Sequence, residues 1–370
     1  MKKLLLPVLV YLMLYNWAFG QVFDIYVCDG GNFNNPPWQI LKFDEKGKNP
    51  QVFINQELSW PQDIVFLEDQ NRVIISNLNT GRITRYLPNS GSYVDDFASG
   101  IAGATRMKIG EDDLLYVLQW GGSGTVLRYQ QDGTFVDEFT ETGVNTSIGI
   151  DWDSDGNLYV SSYADNLIRK FGPDGSDMGN FIDTNLEGPT NIWFDENGDL
   201  YVNNWNGTTV KRFNSDGEFI EEFITGLSNP EGIAFYPNGD ILIGNGGTSA
   251  VKRFDSEGNF IEDIIESGSG NLLLPNAVVL RAQKPQSTTE IQRVDNILQT
   301  NLGTTFYLNA EYVGQIESVE IYDNAGQLVI QRVLGDDLVW NAQRAAIGMY
   351  IIKAQTKKGE VYSQKIIVQE

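Results

Sequence analysis

The chain has 370 residues with 49 Asp and Glu against 26 Lys and Arg, no histidine and one cysteine, for a net charge of −23. That charge repels nucleic acid and anionic lipid, so neither is expected as a partner. The lack of histidine excludes Ser-His, Cys-His and His-metal chemistry, and the lone Cys28 excludes an intrachain disulfide, leaving an apolar core to carry stability.

Residues 1–20 read as a signal peptide: Lys2 and Lys3, an apolar run from Leu4 to Leu14, then the small-residue site Ala18-Phe19-Gly20. The run is too short for a membrane helix, and no later stretch is apolar enough to span a bilayer, so the mature chain is expected outside the cell without a transmembrane segment. Cys28 does not stand where a lipid-anchored cysteine would, and is expected to be a buried, small apolar residue.

Residues 21–280 hold six copies of one pattern. Aligned on their start they fall at Pro61, Ala104, Ser147, Pro189, Pro230 and Pro275, spaced by 43, 43, 42, 41 and 45 residues. In the copy at 186–226, Thr190 to Phe194 reads as a strand, Glu196-Asn197-Gly198-Asp199 as a tight turn, and Leu200 to Asn203 as a second strand. Thr209 to Asn214 and Glu218 to Phe223 complete four strands around a Ser215-Asp216-Gly217 turn, with the period-two alternation of half-buried β-structure. A period in the low forties with four strands per unit predicts an all-β fold, a six-bladed β-propeller. The copy at Pro275 stops after its first strand, whereas Val22–Phe53 supplies only strands two to four. The two should share one split blade that closes the ring.

Residues 281–296 are polar and aperiodic, and read as a linker. Residues 297–370 read as a small Ig-like β-sandwich, with hairpins Ile316–Tyr322/Gln327–Val333 and Met349–Gln355/Tyr362–Val368.

The repeats "GPTNIWFDENGDLYVNNWNGTTVKRFNSDGEFIEEF" and "NPEGIAFYPNGDILIGNGGTSAVKRFDSEGNFIEDI" resemble NHL repeats and the propellers of the gluconolactonase (senescence-marker) family. The tail, through "VEIYDNAGQLV", "IGMYIIKAQ" and "GEVYSQKIIV", resembles the C-terminal sorting domain of the type IX secretion system of Bacteroidetes. That resemblance implies handling by the secretion machinery, removal or exchange of the tail, and a secreted or outer-membrane-surface protein.

The gluconolactonase resemblance also implies a divalent cation at the mouth of the central channel, and oxygen ligands of that kind suit Ca²⁺. The matching positions are Gln62, Thr105, Ile148, Thr190, Glu231 and Asn276. Glu231 and Asn276, with Gln62 and Asp63 one copy on, form the candidate metal set, and a Ca²⁺-dependent lactonase or esterase is the alternative function. Glu231 as a plain turn residue is the competing reading. Asp151-x-Asp153-x-Asp155-Gly156 begins like a Ca²⁺ loop, but its twelfth place is Ser162 and its sibling copies are ordinary hairpin turns.

The loops after second strands are rich in Asn, Gly and aromatic residues. Trp38, Trp120, Tyr163 and Trp205, with Trp60 before a first strand, should project toward one face. Rings flanked by amides suit a glycan, peptide or protein ligand, while filling wedges between blades is the competing use of the same rings. The column Lys42, Arg85, Arg128, Lys170, Arg212 and Arg253 should pair outward with neighbouring acids. The sequence thus points to a binding module of the cell exterior, with no catalytic residue assigned.

Overall fold

The computed structural model describes residues 22–283, 292–293, 297–324, 326–334, 337–358 and 360–369. The expected signal peptide and most of the expected linker lie outside the described residues. The chain divides into two units, Met1–Ala282 and Gln283–Glu370.

Turn chemistry lays out the first unit. In one turn Asp195 Oδ1 accepts the backbone N–H groups of Asn197 (2.9 Å) and Asp199 (3.0 Å), and Gly198 takes φ +83°. Asp44, Asp153, Asn214 and Asp255 cap their turns in the same way. Each turn joins two antiparallel strands. The copy at Pro189 becomes Pro189–Phe194, Leu200–Asn204, Val210–Phe213 and Phe219–Ile224, paired in that order. Burial falls across the four, from an almost wholly buried first strand to a mostly exposed fourth.

Six such four-stranded sheets form this β-propeller unit. Their first strands are Pro275–Ala282 (sheet 1), Pro61–Leu67 (sheet 2), Ala104–Ile109 (sheet 3), Ser147–Trp152 (sheet 4), Pro189–Phe194 (sheet 5) and Pro230–Phe235 (sheet 6). All six begin where the repeat was aligned. Sheet 1 takes its other strands, Phe23–Asp29, Gln39–Phe43 and Gln51–Ile54, from the opposite end of the unit. First strands contact one another in the order sheet 1–2–3–4–5–6–1. Apolar clusters fill the spaces between neighbours: Ile25, Val27, Leu41 and Phe43 of sheet 1, for example, pack with Leu242, Val251 and Ile264 of sheet 6. Cys28 is fully buried in sheet 1, and burial pushes its thiol well above the ordinary value.

One boundary differs from expectation. The last strand runs through Arg281 to Ala282, past the expected linker start, because Arg281 pairs with Asp24 and Ala282 with Phe23. The Arg281 guanidinium lies 4.4 Å from the Phe66 ring and bonds Glu68 at 2.6 Å.

In the second unit, Ile316–Tyr322, Leu328–Val333, Gly348–Thr356 and Val361–Val368 form one antiparallel set, with Gln292–Arg293 and Leu302–Gly303 parallel to its last strand. Thr305–Tyr307 pairs with Leu338–Asn341, and Phe306, Ile321, Trp340, Ile352 and Ile366 lie in the core. The described residues of this unit are therefore all β.

The join between the ends of the first unit turns on Asp29. Its buried carboxylate accepts the N–H groups of Gly31 (2.9 Å) and Leu274 (2.9 Å) and the Gln39 amide (3.0 Å). Asp29→Ala strands these buried donors and is expected to lower stability by about 3 kcal/mol. Urea unfolding checks this, and an unchanged midpoint would contradict it.

Candidate functional site

Where the first strands converge, Gln62, Thr105, Ile148, Thr190, Glu231 and Asn276 are all buried. The group that organises them lies one residue further along sheet 3. Arg106, only 4% exposed, sends Nε to Asn191 Oδ1 (2.9 Å) and Nη2 to both Glu231 Oε1 (2.8 Å) and the Asn276 carbonyl (2.6 Å). Its Nη1 donates to the Gln62 carbonyl. One guanidinium thus ties its own strand to those of sheets 1, 2, 5 and 6. Asn191 and Asn203 Nδ2 donate to the Glu231 carbonyl and hold that strand from below. Sheet 4 has Gly149 beside this point, where an added Cβ would lie 2.0 Å from the Thr190 carbonyl oxygen.

The candidate metal ligands all lie around this guanidinium. Glu231 is paired to a fixed cation, and the Gln62 and Asn276 carbonyls accept from that same cation. Asp63 Oδ1 accepts Ile64 N (2.9 Å) and its Oδ2 accepts Met107 N (2.8 Å). A divalent ion here would meet a guanidinium within hydrogen-bond distance of its main carboxylate, so the donor set does not fit Ca²⁺. Among the described residues no group of three or more acidic, His or Cys side chains could hold a metal. Burial pushes the Glu231 carboxyl up to about 7 against the opposing pull of Arg106, and burial also raises Asp63.

Above this plug lies a cavity of about 220 Å³. Gln62, Ile148, Thr190, Glu231 and Asn276 line its base, and Trp60, Trp120, Tyr163 and Trp205 its sides, with Phe33, Leu78 and Leu274. The repeat explains the walls. The residue after each second strand donates its N–H to the carbonyl just before that sheet's first strand. The pairs are Leu78–Trp60, Trp120–Gly103, Tyr163–Thr146, Trp205–Gly188, Gly246–Asn229 and Gly30–Leu274. Sheets 3, 4 and 5 therefore present Trp120, Tyr163 and Trp205 at one equivalent place, sheet 2 a leucine, and sheets 6 and 1 glycine. The Trp120 and Tyr163 rings stand 5.6 Å apart.

The accepting residue is left-handed in five sheets: Trp60 (φ +50°), Gly103, Thr146, Gly188 and Asn229. Glycine and asparagine suit this conformation; tryptophan does not. Trp60 therefore occupies a strained position, with its ring edge-to-face against Phe33 at 5.3 Å. Two polar atoms of lining residues lack any protein partner, Trp60 Nε1 and Asn276 Oδ1.

Trp38 is the exception among the expected rings. It precedes a third strand instead of following a second, does not line the cavity, and donates Nε1 to the Phe33 carbonyl (2.9 Å). Phe33 takes the lining place that Trp38 was expected to hold.

A larger cavity of about 710 Å³ lies toward the other ends of the first strands, lined by Asp63, Arg106, Lys108, Asp151, Asn191 and Trp193 among others. Several of its polar groups are already engaged: Lys108 pairs with Asp151 (2.6 Å), and Asp63, Arg106 and Asn191 as above. The smaller cavity is the better candidate, because aromatic rings from four different sheets line it.

The remaining motifs are structural. Asp153 caps its turn and accepts the Tyr159 hydroxyl (2.9 Å), while Asp151 bonds Lys108 and Phe194 N. The basic column pairs outward, Lys42 with Asp24 (2.7 Å), Arg85 with Asp95 (2.7 Å), Arg128 with Asp137 (2.7 Å), Lys170 with Asp153 (3.5 Å), Arg212 with Asp199 (2.7 Å) and Arg253 with Asp240 (2.8 Å).

Arg106→Met leaves Glu231 and Asp63 buried without their cation and is expected to cost about 3–5 kcal/mol, read by denaturant unfolding. Glu231→Gln keeps an acceptor for Nη2 and should cost less. Its pH dependence has a defined sign. The folded value of Glu231, about 7, lies above the ordinary 4.5. Its contribution to stability is full below 4.5 and lost as pH rises through 7. The stability of Glu231→Gln relative to the parent should therefore rise across that window; a flat difference would contradict the assignment.

No functionally curated protein matches the chain. Among solved structures, a chain from a nidogen/laminin complex is 15% identical over 70% of this chain and 98% of its own, with a TM-score of 0.57. A protein of unknown function from Bacteroides caccae is 15% identical over 71% of this chain and 100% of its own, with a TM-score of 0.56. A gluconolactonase from Xanthomonas campestris is 18% identical over 55% of this chain and 75% of its own, at a TM-score of 0.47. At these identities the first two likenesses are of fold, and the third carries no argument. Among the described residues no helix is long and apolar enough to cross a membrane. Residues 303–369 match the secretion system C-terminal sorting domain family: the tail is a type IX sorting domain, and it directs the protein to secretion or to the cell surface.

Proposed function

We propose that the propeller is a binding module of a secreted or surface-attached protein, taking part of a glycan, peptide or protein partner into its aromatic mouth without a metal and without catalysis. In this reading the six sheets are the blades of one ring, closed by the sheet that holds both ends of the unit. The observation that carries it is the meeting of Trp60, Trp120, Tyr163 and Trp205, from four different sheets, around one small cavity with a polar base. Rings filling wedges between sheets would pack away from the channel, whereas these four border open space. The competing reading, a Ca²⁺-dependent lactonase or esterase centred on Glu231, is opposed by the guanidinium seated on that carboxylate.

Tryptophan fluorescence tests the reading, with a panel of glycans and peptides as ligands. Trp120→Ala and Trp205→Ala should each weaken binding roughly tenfold or more, through lost apolar contact. Binding unaffected by both would place the ligand elsewhere. Trp60→Asn should separate stability from binding: the left-handed backbone is relieved by about 1 kcal/mol, offsetting the lost Phe33 contact, so thermal stability should hold while affinity falls.

A further inference from the structure

We propose that the face at the far ends of the first strands docks a basic, extended segment of a partner polypeptide. This surface is separate from the aromatic mouth, and the inference stands whether or not the mouth binds a ligand.

Shape comes first. The cavity of about 710 Å³ adjoins a second of about 660 Å³, and Lys108, Asp151, Phe194, Asp195 and Glu196 line both. Together they make one groove that runs past the first hairpin turns of sheets 3, 4, 5 and 6, through Glu111, Ser154, Glu196 and Gly239. A single small molecule would cover only part of that run, whereas an extended chain can follow it.

The walls come next. Trp193, stacked on Tyr201 with the ring planes 7° apart, lines the groove with Phe194 and Trp152. Phe235 lines it too, and is 43% exposed. Rings beside carboxylates suit a segment that carries both apolar and cationic side chains.

Charge selects the cation. Lys108 shows the chemistry already in place: its Nζ lies 2.6 Å from Asp151 Oδ1 and 5.6 Å from the centre of the Trp152 ring. The exposed carboxylates of Glu111 and Glu196 make no hydrogen bond or ion pair with any described residue. A neutral apolar segment would strip them of water and give nothing in return. Lys or Arg side chains would replace that water with ion pairs, and the chain's net charge of −23 steers such a partner toward it.

The test uses the full mature chain and fluorescence anisotropy of a labelled hexapeptide that alternates lysine and leucine. Hexalysine, a glutamate-leucine hexapeptide and spermine serve as competitors. The lysine-leucine peptide should bind, and each competitor should bind at least about tenfold more weakly. Glu111→Gln combined with Glu196→Gln should weaken the peptide about fivefold. Asp183 and Glu222 are exposed and line neither cavity. Asp183→Asn combined with Glu222→Gln removes the same charge and should weaken binding by less than about twofold. Phe235→Ala should weaken it about tenfold through lost apolar contact. The glutamine pair replaces exposed, unpartnered carboxylates, so the test holds even if Phe235→Ala folds poorly. If the pair outside the groove weakens binding as much as the pair within it, the attraction is diffuse and the groove assignment falls. If hexalysine or spermine binds as tightly as the mixed peptide, the surface takes bare cations and the polypeptide assignment is overturned. Failure of the mixed peptide to bind at low salt overturns it as well.

Discussion

Much of the propeller's centre depends on where one guanidinium sits. Five of the six first strands bring a backbone carbonyl, an amide, a carboxylate or the arginine itself to the same point. Polar groups packed at that density are costly unless each is paired, and a planar fork of five N–H donors can satisfy several acceptors at once. Arg106 does so, and it supplies the positive charge that buried Glu231 and Asp63 require. A fixed side-chain cation thus does electrostatically what a bound ion would do. Its partners Gln62, Glu231 and Asn276 form the floor of the aromatic cavity.

Given that floor, the character of the upper cavity follows from the repeat. Each sheet places one residue at the exit of its second strand, held by a backbone hydrogen bond to the residue before its first strand. The backbone geometry is common to all six, and the side chains differ. Sheets 3, 4 and 5 put aromatic residues there, sheet 2 a leucine, and sheets 6 and 1 glycine, beside which Phe33 and Leu274 complete the lining. Trp60 shows the same economy with a conflict in it. The left-handed position asks for glycine or asparagine, and tryptophan stands there with an unpaired N–H.

The fold was legible because it is written in local chemistry. Asp-Gly and Asn-Gly turns recur at a fixed spacing, and Pro61, Ala104, Ser147, Pro189, Pro230 and Pro275 each open a first strand. The site was legible only in part. Trp120, Tyr163 and Trp205 occupy one place in the repeat and reach one cavity, whereas Trp38 lies at another place, and register would have excluded it. Arg106 was missed because its partners are distant in sequence: Glu231 is 125 residues away and Asn276 is 170. The available sign was a lone basic residue at a first-strand position where the other copies carry Asp63, Gly149, Asn191, Gly232 and Ala277. Phe33 sits in an insertion-like loop with no counterpart in the other copies, so periodicity had nothing to say of it.

The central claim is that Arg106 takes the role of a metal, and the most direct test is thermal unfolding of the mature chain in Ca²⁺ and in a chelator. A cation bound only by the folded state at a hundredfold its Kd would add about 2.7 kcal/mol. The account predicts superimposable transitions. An upward shift in Ca²⁺ that the chelator reverses and that Glu231→Gln abolishes would contradict it, and would return the channel mouth to a metal-dependent chemistry.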